Sequence, residues 1–220
     1  MIRTRPVLVR HVAAVPALLL ALSAPAVSAQ EPLPDLDDQP QTAVFAGGCF
    51  WGIEAVFEHV KGVTNVVSGY TGGTMTHPSY EVVSAGITGH AESVRVTYDP
   101  TQISYAQLIE IFMRAHDPTS LDRQGPDEGS QYRSAIFWSN GYQENVARKV
   151  LERLSRTETF RRPIVTELEK LGEFWVAEDY HQDYLVHHLD QPYIVIHDLP
   201  KLDALKRRFP QLYRDASSRP

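Results

Sequence analysis

Cys49 is the only cysteine in the 220 residues, so no internal disulfide can staple this chain and its fold must rest on an apolar core. The cysteine stands at a junction. Thr42 to Ala46 reads as a short apolar strand, and Phe50, Ile53, Phe57 and Val60 recur at the spacing of an amphipathic helix. Gly47 and Gly48 between them allow a tight turn and leave the sulfur uncrowded. A thiol in the first helical turn faces unpaired N–H groups and the positive end of the helix dipole, which predicts a stabilised thiolate. The competing reading is a small buried hydrophobe, the commoner fate of a free cysteine.

Ahead of this junction, Arg3, Arg5 and Arg10 precede an apolar run from Val12 to Val27 and the small-residue pattern Val27-Ser28-Ala29. That is the pattern of a secretory signal peptide over residues 1–29, exported to the periplasm or secreted. Pro16 and Pro25 interrupt a run shorter than the roughly 20 residues that span a bilayer, which argues against a membrane anchor. Residues 30–41 are rich in Pro, Asp and Gln and read as a flexible linker, leaving 42–220 as a single domain. Beyond residue 29, 18 basic residues face 27 acidic ones, a formal charge of −9 that makes nucleic acid a poor partner. An unpaired cysteine in an exported chain points to a reactive thiol or an intermolecular disulfide.

Downstream, Val63 to Tyr70 reads as a strand, and Ala91 to Tyr98 alternates strictly, with Glu92, Val94, Val96 and Tyr98 on one face. Ser104 and Gln107 form a capping box ahead of a helix over Tyr105 to His116. Asp117 to Tyr132 has no periodicity, and a loop of that length inside a domain is usually functional or disordered. Ser134 to Trp138 reads as a buried strand, Val146 to Leu154 as part of a helix, Pro163 to Leu171 as a strand, Tyr193 to Ile196 as a last short strand and Leu202 to Leu212 as a terminal helix. The mixture predicts an α+β fold, a two-layer sandwich of a mixed sheet with helices packed on it and long irregular loops.

Glu92 is the second candidate. An inward-facing strand carries its carboxyl toward low dielectric, which raises its pKa and suits it to proton donation. Solvent at the strand end, or Arg95, would equally account for it. Tyr80 and Tyr132 lie in Gly- and Ser-rich surroundings outside predicted elements, where a phenol can project into a cleft; Asp127 is by default a turn residue. Phe50 and Trp51, adjacent to the sulfur, read as core or as an apolar wall suited to a methyl or thioether group. His181 is a candidate base for Cys49, the pairing of a thiol-dependent acyl transferase or hydrolase. One cysteine and no His-Glu-x-x-His pattern argue against a metal site.

Four ordered motifs then carry a resemblance: Gly48-Cys49-Phe50-Trp51-Gly52, Gly89-His90-Ala91-Glu92, His116-Asp117-Pro118-Thr119 and Gln131-Tyr132-Arg133-Ser134. Together with Ala177-Glu178-Asp179-Tyr180-His181-Gln182 they resemble the type A peptide methionine sulfoxide reductases from about Thr42 to at least Leu185. The resemblance implies a ferredoxin-like core and reduction of the S epimer of methionine sulfoxide, free or in proteins. It implies that Cys49 attacks the sulfoxide sulfur, that Glu92 with Tyr80 and Tyr132 binds and protonates the oxygen, that Phe50 and Trp51 receive the methyl group, and that Asp127 holds the substrate backbone. Cys49 would be left as a sulfenic acid. Better-known members resolve it with further cysteines. Here Ser84 stands where some carry one and the tail from Leu185 to Pro220 has none, so the resemblance implies no cofactor but an external thiol reductant: thioredoxin, a glutaredoxin-like protein or a small thiol. A non-catalytic binding module for oxidised proteins is opposed by the retained Cys49 and Glu92.

Overall fold

The computed structural model describes residues 39–157 and 159–215; the expected leader, most of the linker and the last five residues lie outside them. Six strands form one mixed sheet. In chain order they are β1 (Gln41–Gly47), β2 (Val63–Thr71), β3 (Ala91–Tyr98), β6 (Ser134–Trp138), β7 (Glu167–Lys170) and β8 (Trp175–Val176). Across the sheet they run β7-β6-β1-β3-β2-β8, every pair antiparallel except β6 with β7. Antiparallel pairing brings the end of β1, the starts of β3 and β6 and the end of β2 to one edge, and the candidate residues collect there.

Helices cover one face. These are α1 (Phe50–Glu58), α3 (Tyr105–Ala115), α4 (Gly141–Arg156) and α6 (Leu199–Arg208). Phe45 of β1 stacks against Phe57 of α1 at 5.2 Å and Phe112 of α3 at 4.9 Å, all three fully buried. Each such ring removed from water contributes about 1.5–3 kcal/mol. Ser104 caps α3 as its sequence predicts: its hydroxyl accepts from the Gln107 N–H and the Gln107 side chain accepts from the Ser104 N–H. The opposite face carries a smaller cluster, Val44, Ala46, Ala91, Ala135 and Phe137, roofed by Leu171 and Phe174. This is the expected α+β sandwich. Among the described residues no helix is long and apolar enough to cross a membrane.

The structure differs from the sequence reading in six places. Tyr80 opens a short helix, α2 (Tyr80–Ser84), and Tyr132 closes a 3₁₀ turn, Ser130–Tyr132, so neither lies outside regular structure. The segment Asp117 to Tyr132 also contains a two-stranded ribbon, β4 (Arg123–Gln124) with β5 (Asp127–Glu128), too short for periodicity to register. Of Pro163 to Leu171 only β7 is strand; Val165 instead donates its N–H to the Pro118 carbonyl at 2.8 Å. The predicted strand Tyr193 to Ile196 is a π-helical turn, Ile194–Asp198, that runs directly into α6. A short apolar run does not distinguish strand from helix, and here only Ile194 of the three aliphatics is buried. The terminal helix consequently starts at Leu199 and ends at Arg208.

Candidate active site

Cys49 occupies the N-cap of α1, one residue beyond a left-handed Gly48 at φ +88°. A side chain at Gly48 would strike Gln124, whose amide accepts from the Asp117 N–H and donates to the Asp117 carbonyl. Glycine therefore serves both the turn and the close approach of the 117–132 segment. The sulfur is buried. Burial first, then the negative charges of Glu92 and Asp198, push the thiol well above its ordinary pKa, against the pull of Lys201 and the Trp51 N–H. The helix N-terminus acts in the predicted direction, but desolvation outweighs it, so the resting site holds a thiol and not the expected thiolate.

Glu92 is fully enclosed, and one carboxyl oxygen accepts the Phe50 N–H at 3.1 Å. Burial pushes its pKa up to about 8, partly offset by that hydrogen bond and augmented by Asp127. At neutral pH the carboxyl is mostly protonated, and its contribution to raising Cys49 disappears with its charge. Neither alternative for Glu92 holds, since Arg95 lies on the other face with its guanidinium 4.8 Å from the Phe174 ring.

Tyr80 and Tyr132 sit within the field of both groups. Burial and then the Glu92 charge raise Tyr80 to about 12 and raise Tyr132 further, so both phenols keep their protons. Asp127 on β5 accepts the Tyr193 hydroxyl at 2.5 Å. The Phe50 ring is covered by Tyr70 and His181, with centroids at 5.8 and 5.0 Å. Trp51 stacks on Tyr184 at 3.7 Å, meets Tyr193 edge-on at 6.0 Å and stays half-buried.

The remaining candidate base is already engaged. His181 accepts the Trp51 indole N–H on Nδ1 at 3.1 Å, and burial lowers its pKa, so it is a neutral ring that orients Trp51. With its acceptor nitrogen taken, the Cys-His pairing of an acyl transferase or hydrolase is not built. Its Nε2 lies 4.0 Å from Glu178. The sequence reading did not single out Glu178, whose carboxylate accepts the Tyr70 hydroxyl at 2.8 Å and the Tyr80 N–H at 2.9 Å. It also missed Tyr193, Asp198 and Lys201. The available signal was Asp198 itself, a carboxylate two residues beyond the apolar run Tyr193-Ile194-Val195-Ile196.

An α+β domain with a lone buried thiol beside a protonated carboxyl and two phenols defines a thiol-dependent enzyme acting on a neutral, hydrogen-bond-accepting group. The family model for peptide methionine sulfoxide reductase matches residues 41–212. The chain is 51% identical over 176 residues to peptide methionine sulfoxide reductase MsrA 2 of Mesorhizobium japonicum, covering 80% of this chain and 90% of that one. It is 50% identical over 169 residues to MsrA of Deinococcus radiodurans, covering 77% and 82%. Among solved structures, methionine sulfoxide reductase A of Corynebacterium diphtheriae superposes with a TM-score of 0.65 at 38% identity, covering 68% of this chain and 76% of that one. Reduced Mxr1 of Saccharomyces cerevisiae does so with a TM-score of 0.64 at 31% identity, covering 70% and 88%.

The chain belongs to the type A peptide methionine sulfoxide reductases. It is a peptide-methionine (S)-S-oxide reductase, an oxidoreductase that repairs oxidised methionine through a cysteine sulfenic acid and draws its electrons from a thiol.

Proposed function

We propose that Cys49 is the nucleophile and Glu92 the acid of this reduction. The observation that carries the reading is the enclosed Glu92 carboxyl, bonded to the first N–H after Cys49 and held protonated at neutral pH. The sulfoxide oxygen accepts hydrogen bonds from Glu92 and from the Tyr80 and Tyr132 hydroxyls, which makes its sulfur electrophilic. Glu92 donates its proton to that oxygen as the Cys49 sulfur attacks, and the thiol proton returns to Glu92. The Cys49 sulfur bonds to the sulfoxide sulfur. The protonated oxygen then passes to the Cys49 sulfur as the substrate S–O bond and the transient S–S bond break, so that methionine leaves as its thioether and Cys49 is left as sulfenic acid. Trp51 with Phe50 receives the substrate methyl group, and Asp127 holds the substrate backbone.

With one cysteine in the sequence, recycling proceeds through a mixed disulfide. An external thiol attacks the sulfenic sulfur, expelling water, and a second thiol frees Cys49. Thioredoxin, a glutaredoxin-like protein or a small thiol each fits that role. The arginine-led apolar leader over residues 1–29 supports export, with periplasmic or secreted proteins as clients. Single-turnover reduction of methionine sulfoxide tests the core of the reading. The enzyme forms one sulfenic acid per chain, Cys49→Ser forms none, and a Glu92→Gln rate equal to that of the parent would remove Glu92 from the acid role.

A further inference from the structure

The C-terminal segment places an ion pair against the helix that Cys49 caps. Asp198, at the end of the π-helical turn, is completely buried. Its Oδ1 accepts from Lys201 Nζ at 2.9 Å, while Oδ2 has no hydrogen-bond partner among the described residues. Both groups rest on Gly52, the third residue of α1. A side chain there would stand 2.2 Å from Asp198 Oδ1 and 2.6 Å from Lys201 Nζ, so the pair occupies the space that glycine leaves.

A tie that merely fastened α6 to α1 could place its charges at the surface and satisfy both oxygens. Here one oxygen is buried without a partner among the described residues, which fastening alone does not explain. The π-helical turn adds a residue to the helical frame just before Asp198, a distortion frequent at functional sites. The same segment carries Tyr193, bonded to Asp127.

We propose that Asp198 and Lys201 are a positioning pair for the reaction: packed on Gly52 in the first turn of α1, they govern how readily Cys49 gives up its proton. The proposal rests on Cys49 being the nucleophile. The groups acting at the sulfur or on the pair come from every surrounding element. Glu92 comes from β3, Asp127 from β5, Tyr80 from α2, Tyr132 from the 3₁₀ turn, and Tyr193, His197, Asp198 and Lys201 from the C-terminal segment. His116 beneath Gly47 is held neutral, its pKa lowered to about 4 chiefly by burial. Among the largest influences on Cys49, Lys201 supplies the positive charge. Asp198 opposes ionisation of the thiol and Lys201 favours it, with Asp198 the stronger of the two.

The two members of the pair are therefore expected to shift Cys49 in opposite directions. The rate of Cys49 alkylation by iodoacetamide is followed against pH, a readout independent of turnover. Asp198→Asn lowers the apparent pKa by about one unit, which speeds alkylation about tenfold at a pH below it. Lys201→Gln raises it by a smaller amount, because Asp198 is ionised in the alkaline range where the thiol titrates. A structural tie alone would move both variants the same way or neither. Shifts of equal sign, or superimposable profiles, overturn the proposal. Should Asp198→Asn fail to fold, the less enclosed Lys201→Gln decides alone, and an unmoved profile there overturns it. The Cys49→Ser turnover test reports separately on the nucleophile.

Discussion

Two clusters lie under the same helices on the same face of the sheet, and burial does opposite things in them. Phe45, Phe57 and Phe112 pack ring against ring, and exclusion of water from these apolar side chains is a direct gain in stability. Around Cys49, Glu92 and Asp198 the same exclusion falls on ionisable groups and raises the pKa of each. Desolvation there is stored as altered protonation, which costs stability and yields a neutral carboxyl in the same pocket as a buried thiol, the arrangement the proposed chemistry uses. One turn of α1 thus joins a region built for packing to a region built for chemistry.

Substitutions separate the two. The largest effect expected is that of Cys49→Ser, which abolishes measurable sulfoxide reduction while urea denaturation stays close to the parent curve. Glu92→Gln comes next: the single-turnover rate falls about 10²–10⁴-fold, the usual contribution of a placed general acid. The same change raises stability. Folding lifts the Glu92 pKa to about 8 from a carboxylate value near 4.5, so the native state binds the extra proton. Its stability is fully present below the unfolded pKa and declines as pH rises through about 8. An uncharged glutamine escapes that decline, and by about pH 8 the variant is expected to be about 1–3 kcal/mol more stable than the parent in denaturant titrations. A loss of stability at that pH would break the contrast between the two clusters.

Phe45→Ala probes the other side. A cavity among stacked rings costs about 3–5 kcal/mol, and the pH dependence of the surviving activity should be unchanged. If that profile moved, the aromatic cluster would belong to the site. With Glu92 as the acid, activity of the parent is expected to decline above about pH 8 as that carboxyl loses its proton, and Glu92→Gln is expected to flatten that limb in a pH–rate profile. The smallest effect belongs to Ser104→Ala. Removing the α3 cap costs about 1 kcal/mol in thermal unfolding and leaves the rate alone.

The strand–cysteine–helix junction was legible because its signals are local: an apolar run, two glycines, and a stripe with helical spacing. Strand β3 was read to its exact ends from alternation, and with it the inward face of Glu92. Tyr80 and Tyr132 were marked only by glycine- and serine-rich surroundings, a signal that many loop residues share, and Asp127 read as an ordinary turn residue, so their joint role came from the resemblance. Their convergence depends on the edge where four strand ends meet. The C-terminal segment was misread because Tyr193 to Ile196 fits either period, and its true path is set by what it packs on: Ile194 against α1 and Asp198 against Gly52. Likewise His181 could not be excluded as a base until Trp51 was seen to occupy its acceptor nitrogen.

By itself the sequence determined the layered α+β architecture, the lone thiol at a helix start, the inward Glu92 and the lack of a resolving cysteine. Each follows from residue type and short-range spacing. Tertiary structure alone decided the protonation of the site. Whether Cys49 rests as thiol or thiolate, and Glu92 as acid or carboxylate, depends on how much water is excluded and which charges remain nearby. Here those charges arrive from Asp127, acting on Glu92, and Asp198, acting on Cys49, both far along the chain from the residues they influence.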